Sequence, residues 1–278
     1  MLNYRHSNHA GNFGDVLKHI ILIEIFEYLC QSDSRIEYID SHAGAGLYQL
    51  DTEITDKRPA CSNGIARLEA DDWPELSSYF ACIDSVNPDD LLAFYPGSPV
   101  IARQLLRTHD KARLYELNPA EFESLNNNLG SDSRIRLLLA DGFKGLSDLV
   151  SPSAGRRLVL IDPPYEMKTD YDMAASAVRQ AYDRFAAGTY VLWYPVVQRC
   201  LTDQLYDSFV NSGIKNIQRF ELGITADSTG REMTASGLIV INPPSPLIAK
   251  MSKLLPRLVT TLATGEGAFF LCDDLEKV

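Results

Sequence analysis

Asp162-Pro163-Pro164-Tyr165 stands directly after the apolar run Leu158-Val159-Leu160-Ile161. Four consecutive apolar residues suit a strand buried on both faces. Two prolines, which have no N–H to give a neighbouring strand, must end it. A carboxylate is thereby held on a stiffened backbone at the carboxyl end of a buried strand, the edge at which open α/β sheets bind ligands. The chemistry open to such a group is the orientation of an amine. An exocyclic amine on an aromatic base is a poor nucleophile because its lone pair is delocalised into the ring. Asp162 and the Pro163 carbonyl can accept its two N–H bonds while Tyr165 stacks on the ring. The plainer reading of the same residues is a strand ended by prolines with an acid at its tip.

Three further acids end apolar strands upstream. Ile36-Glu37-Tyr38-Ile39 leads to Asp40, Ala112-Arg113-Leu114-Tyr115 leads to Glu116, and residues 135–140 lead to Asp141-Gly142. Four acids at one edge of a parallel sheet line one crevice, in which Glu116 is placed to take ribose hydroxyls and Asp141 an adenine amine. After Asp40 comes Ser41-His42-Ala43-Gly44-Ala45-Gly46. Its glycines permit close approach of the backbone to a ligand. The third glycine of a dinucleotide fingerprint is missing, which counts against a nicotinamide dehydrogenase.

The elements that must hold these residues follow from periodicity. Residues 1–15 are polar and turn-rich, and a helix is expected from Val16 to Leu29 with Asp15 as its N-cap. The distance from the strand at 36–40 to that at 112–116 far exceeds one βαβ unit, so residues of about 50–95 are read as a small helical insertion, with helices at 64–69 and 73–86. A helix at 101–106 leads back to the sheet. Regular alternation then sets in, with helices at 119–129, 143–150, 172–187 and 198–211 and a strand at 190–195. Strands at 216–224 and 237–242 form a hairpin-like pair. Trp193 and Tyr194 are read as core, and Asn242-Pro243-Pro244-Ser245, which imitates the motif at 162–165, as structural. The fold class is α/β, a doubly wound Rossmann-like sheet, and the 278 residues are read as a single domain.

Composition bounds the function. The five cysteines are scattered without a Cys-x-x-Cys pair, and His6, His9 and His19 lack a ligand set, so neither a disulfide framework nor a metal site is expected. With no membrane span or signal-like core, a cytoplasmic protein is expected, and a monomer is favoured. The net charge of −11 repels a phosphate backbone at long range. Any nucleic-acid contact must come from a local patch, for which Arg5, Lys18, Lys168, Arg199, Lys215, Arg219 and Arg231 are the candidates.

The Asp-Pro-Pro-Tyr tetrapeptide resembles that of amino-methyltransferases, and Asp40 with the glycine turn resembles the first motif of class I methyltransferases, from which His42 departs. Several longer stretches match more specifically: Tyr4-Arg5-His6-Ser7, His9-Ala10-Gly11-Asn12, Asp15-Val16-Leu17-Lys18-His19, His42-Ala43-Gly44-Ala45-Gly46, Tyr95-Pro96-Gly97-Ser98-Pro99, Asp162 to Lys168 and Trp193-Tyr194-Pro195. Together they resemble the bacterial 23S ribosomal RNA adenine-N6 methyltransferase J family over nearly the whole chain. The resemblance implies a class I methyltransferase sheet and the cofactor S-adenosylmethionine, contacted by His19, His42, Ser98, Glu116, Asp141, Gly142 and Asp162. It also implies that Asp162 is the proton acceptor, that His6 and Lys18 border the reaction centre, that Tyr4 meets the target base, and that 23S ribosomal RNA is the substrate. Alternatives are a DNA adenine-N6 methyltransferase and a non-catalytic nucleic-acid-binding protein linked to the use of external DNA.

Overall fold

A computed structural model describes residues 6–50, 60–89, 91–147, 149, 155–228, 230 and 232–275. The first helix, α1 (Phe13–Cys30), starts three residues earlier than its apolar periodicity suggests. Asn12, not Asp15, is its cap: Asn12 has extended backbone and its side chain accepts the Asp15 amide at 3.0 Å. Asp15 sits one turn inside, 2% exposed, and accepts the Gly11 amide at 2.9 Å. Nearly every face of α1 is buried, Phe13, Val16, Leu17, Ile20, Ile21, Ile23 and Phe26 among them. A helix apolar all round belongs inside a protein, and this one is sandwiched between the sheet and other helices.

β1 (Ile36–Asp40) follows, then β2 (Leu47–Gln49). The inserted segment runs through single 3₁₀ turns to α2 (Ser77–Asp84) and closes with β3 (Phe94–Pro96), which pairs antiparallel with β2, Leu47 opposite Pro96. The expected helices at 64–69 and 73–86 are therefore mostly 3₁₀ turns, at Ile65–Arg67, Ala70–Asp72 and Pro74–Leu76, with α2 the one α-helical stretch among the described residues of the insertion. Pro74 forbids helical continuity by forcing Trp73 out of the helical region (φ −131°, ψ 58°). Ile65, Leu68, Trp73, Leu76 and Tyr79 are all buried in the core that surrounds α1. The insertion is thus part of the packing.

From here the chain alternates: α3 (Ser98–Leu105), β4 (Lys111–Glu116), α4 (Pro119–Leu129), β5 (Ile135–Leu139), α5 (Gly142–Ser147), β6 (Arg156–Ile161), α6 (Thr169–Arg184), β7 (Thr189–Val196) and α7 (Arg199–Val210). It ends with β8 (Ile217–Gly223), β9 (Ala235–Ile241), α8 (Leu247–Leu262) and β10 (Phe269–Asp274). The eight-stranded sheet has the order β10-β8-β9-β7-β6-β1-β4-β5. β5, β4, β1, β6 and β7 are parallel, β9 is reversed between β7 and β8, and β10 is antiparallel at the far edge. Apolar cores cover both faces: Leu158 and Leu160 of β6 join one, Val159 and Ile161 the other. Because the chain passes from β1 outward to β4 and later returns to β6 on the other side, the switch point lies at the carboxyl end of β1.

The reversal of β9 decides the fate of Asn242-Pro243-Pro244-Ser245. Tyr190 at the start of β7 pairs with Ile241 at the end of β9, so Asn242 lies at the sheet edge opposite to Asp162. Its backbone is left-handed (φ 52°) and its amide donates to the Ala186 and Gly188 carbonyls, both at 2.8 Å. Asn242→Ala removes two hydrogen bonds and strains the backbone; urea denaturation should show a loss of about 2 kcal/mol with an unchanged slope.

Candidate active site

Around the switch point the strand ends enclose a cavity of about 340 Å³. Its wall includes His6, Lys18, His19, His42, Ser98, Glu116, Asp141, Gly142, Asp162 and Pro163. Every residue expected to hold cofactor is therefore in one place, as are His6, Lys18, Asp162 and Pro163 at the expected reaction centre; Tyr165 is not in the wall, and Tyr4 lies outside the described residues. Arg5 and Arg231 lie outside them too.

One end of the cavity is built on β1 and β4. Gly44 has a left-handed backbone (φ 59°) and a Cβ there would stand 2.1 Å from the Tyr48 hydroxyl, so glycine is required. Its amide donates to Glu116 at 2.8 Å, and the Asn118 amide donates to the other Glu116 oxygen at 2.7 Å. Burial raises the Glu116 pKa against these two bonds. Asp141 accepts the Phe143 amide at 2.9 Å, and the Phe143 ring meets His42 edge-on at 4.8 Å. Gly142 passes so close to the Ser41 carbonyl that a Cβ would lie 1.8 Å from it. Leu117, Met167 and Met173, each at least half exposed, supply an apolar rim.

Asp40 departs from expectation. It was counted among four acids lining the crevice, yet it is fully buried beneath it and absent from the wall. Tyr38 donates to it at 2.8 Å, Ser98 at 2.7 Å and the His42 amide at 3.2 Å. It is the hidden anchor that fixes the turn after β1 and the start of α3. Burial pushes its pKa up to about 6 although the Ser98 and Tyr38 bonds oppose the rise.

The other end of the cavity is an ion network. Lys18, 3% exposed, places Nζ 2.7 Å from Asp15 and 2.6 Å from Asp162. Burial alone would lower its pKa, but the carboxylates of Asp15 and Asp162 outweigh burial and hold it above the ordinary lysine range. His6 reaches Asp15 at 3.1 Å and packs edge-on against Tyr48. Burial pushes Asp15 up, yet His6 and Lys18 together hold it well below the usual carboxylate range. The Trp193 ring centroid lies 5.6 Å from the Lys18 ammonium. Trp193 is thus half-buried beside the site, whereas Tyr194 is core as expected.

Tyr165 differs from its expected role. Its backbone is left-handed (φ 47°), and its ring packs on Tyr171 (4.5 Å) and Trp193 (5.9 Å) with the hydroxyl donating to the Trp193 carbonyl. It is half-buried and outside the cavity wall, which is made instead by Pro163, Pro164, Glu166 and Met167. Of the basic candidates, Arg199 is paired with Asp227 and Glu221, and Arg219 with Asp273, so acids already neutralise both.

Residues 33–271 match the family model described as ribosomal RNA large subunit methyltransferase D, RlmJ. The chain belongs to this family. It is similar to the ribosomal RNA large subunit methyltransferase J of Escherichia coli, 46% identical with 96% of each chain covered. It is also 43% identical to the one from Haemophilus influenzae, with 97% of each covered. Among solved structures, protein LPL1258 from Legionella pneumophila superposes with a TM-score of 0.87 at 31% identity, covering 96% of this chain and 98% of that one.

Sequence reasoning missed three contributors to the contacts around this cavity. Asp15 was assigned to a cap, though its spacing of three from Lys18 on a helix is the signature of an ion pair. Tyr95, which contacts His19, and Phe143, which contacts His42, carry no local signal. Burial lowers the pKa of His19 to about 3 and that of His42 to about 4, in the latter case against Asp162, Asp141 and Asp170. Both imidazoles are neutral in the folded protein, so the stability they lend is complete above about pH 6.5 and is lost as pH falls toward those values. Asp40 acts in the opposite sense, its protonation below about pH 6 relieving a cost of burial. The histidines outweigh it. Denaturant titrations at pH 7.5 and 5 should show a loss of roughly 2 kcal/mol at the lower pH, smaller in His19→Gln.

Proposed function

We propose that this chain methylates the N6 amine of an adenine in 23S ribosomal RNA with S-adenosylmethionine as donor, acting as one unit, in the cytoplasm and as a monomer. Membership of the RlmJ family supports the reaction, and among the described residues no helix is long and apolar enough to cross a membrane. The observation that carries the reading is the placement of Asp162, with its Pro163-Pro164 terminus, in the same cavity as Glu116, Asp141 and His19.

The residues present fit such a donor. His19 lines the cavity and its buried Nε2 has no hydrogen-bond partner among the described residues, as a site awaiting a polar ligand requires. Glu116 keeps lone pairs for ribose hydroxyls after taking two backbone amides, and Asp141 and the Phe143 ring suit an adenine. His42, Ser98 and Gly142 complete that end. When bound, the donor supplies a methyl group on a positively charged sulfur.

The chain's own part is to orient and to hold a proton. Asp162 Oδ2 is occupied by Lys18, which leaves Oδ1 and the Pro163 carbonyl as acceptors for the two amine N–H bonds. An exocyclic amine on an aromatic base is far too weak an acid to give up a proton to a carboxylate. Asp162 therefore does not strip the amine beforehand: it turns the lone pair toward the methyl group and receives the proton once methylation has made the nitrogen acidic. His6 and Asp15 keep Lys18 in place. Tyr4 is assigned to the extruded base; Tyr165, instead of stacking freely, braces the turn that sets Asp162 and Pro163.

Labelled donor should be offered to protein-free 23S ribosomal RNA, intact subunits and DNA, followed by nucleoside analysis. N6-methyladenosine in the RNA is expected; label in cytosine, or in DNA alone, would refute the reading. Asp162→Ala should lower turnover by about a hundredfold or more. Glu116→Ala should weaken cofactor binding by roughly 1.5–3 kcal/mol in calorimetry, and unchanged affinity would place the ribose elsewhere.

A further inference from the structure

The insertion contributes a hydroxyl chain to the cavity. Tyr79 of α2 and Tyr95 of β3, both buried, bring their hydroxyls within 3.2 Å of each other. The Tyr95 hydroxyl also lies 2.9 Å from His19 Nδ1, and its ring stacks on the imidazole at 5.5 Å. His19 is 1% exposed and lines the cavity, and its other nitrogen, Nε2, has no partner among the described residues.

Protons can be arranged along this chain in two directions. In one, Tyr79 donates to Tyr95, Tyr95 donates to Nδ1, and the imidazole proton sits on Nε2. In the other, Nδ1 donates to Tyr95 and Tyr95 to Tyr79, which leaves the Tyr79 proton buried with no acceptor among the described residues. A buried donor without an acceptor costs about 1–3 kcal/mol: in the first direction the one unmatched proton is that on Nε2, which an acceptor bound in the cavity satisfies, whereas in the second the Tyr79 proton stays unmatched whatever binds.

We propose that Tyr95, backed by Tyr79 from the insertion, is a positioning residue that fixes His19 as its Nε2–H tautomer, so that the cavity presents a hydrogen-bond donor to a carboxylate. This rests on the cofactor reading above, and the carboxylate is that of the donor's amino-acid end. Acceptors are abundant elsewhere in the cavity, in Glu116, Asp141 and Asp162, and would repel a carboxylate; the donor at His19 gives that group a place to lie. Since the imidazole carries no charge, it does so without adding a cation beside Lys18.

Two measurements test this. In the protein saturated with S-adenosylhomocysteine, long-range ¹H–¹⁵N spectra of labelled histidine, assigned with His19→Gln, should show the His19 proton on Nε2; a proton on Nδ1 overturns the proposal. Calorimetry then compares S-adenosylhomocysteine with methylthioadenosine, which lacks the amino-acid end. Tyr95→Phe should weaken the first about tenfold (about 1.4 kcal/mol) and change the second within about twofold. Tyr79→Phe should act in the same direction more weakly. Equal loss for both ligands would mean that Tyr95 only packs, and no loss for either would mean that it does nothing; both overturn the proposal. A wild-type protein that binds neither compound refutes the cofactor reading itself, and the proposal with it.

Discussion

Burying the ammonium of Lys18 is the constraint on which the site depends. A buried, unpaired charge costs several kcal/mol, so a lysine 3% exposed in the wall of an apolar core must be held by carboxylates on more than one side. Asp15 and Asp162 do this, from the first turn of α1 and the tip of β6. The demand spreads outward. Asp15 must itself be satisfied, which draws in the Gly11 amide and His6 and requires Asn12 to take over the cap. β6 must stop at Asp162, which the two prolines enforce. The opening of the chain, the central helix and the middle of the sheet are thus tied together by one cation.

The sheet supplies the rest. Because β1 is flanked by β4 on one side and β6 on the other, its carboxyl end is where the loops part and leave a cavity. The turn after β1 bears on Asp40 from above and on Glu116 through the Gly44 amide, so the loop is fixed before any ligand arrives. The insertion adds Tyr95, which reaches His19, and Tyr79, which reaches Tyr95. Pre-set polar groups of this kind need little reorganisation when charge moves at the reacting atoms.

Much of this was legible in the chain because it is local. Apolar runs ending in Asp40, Glu116, Asp141 and Asp162 mark strand ends, and alternation with helices gives the parallel sheet. What was not legible depends on contacts between distant residues. The Lys18–Asp162 pair spans 144 positions and the His19–Tyr95 contact 76, and no spacing rule reports either. Asp40 looks like its three neighbours in kind, but only the packing of Ser98 and Tyr38 over it shows that it faces inward. The β2–β3 ribbon is three residues long on each side, too short for a periodic signal. Beyond Ser245 no element was assigned, yet α8 and β10 are there; Pro256 inside α8 reads as a breaker, and its cost is met by a buried stripe of Leu254, Leu255, Leu258 and Leu262.

The central claim is that Lys18 and Asp162 act as one unit in orienting the amine. A double-mutant cycle on single-turnover methylation of protein-free 23S ribosomal RNA tests it directly, with Lys18→Met, Asp162→Asn and the two combined. If they act as a unit, each single change is severe and the pair is no worse than the worse single change, a coupling of about 2 kcal/mol or more. Losses that simply multiply would show two independent residues and contradict the account.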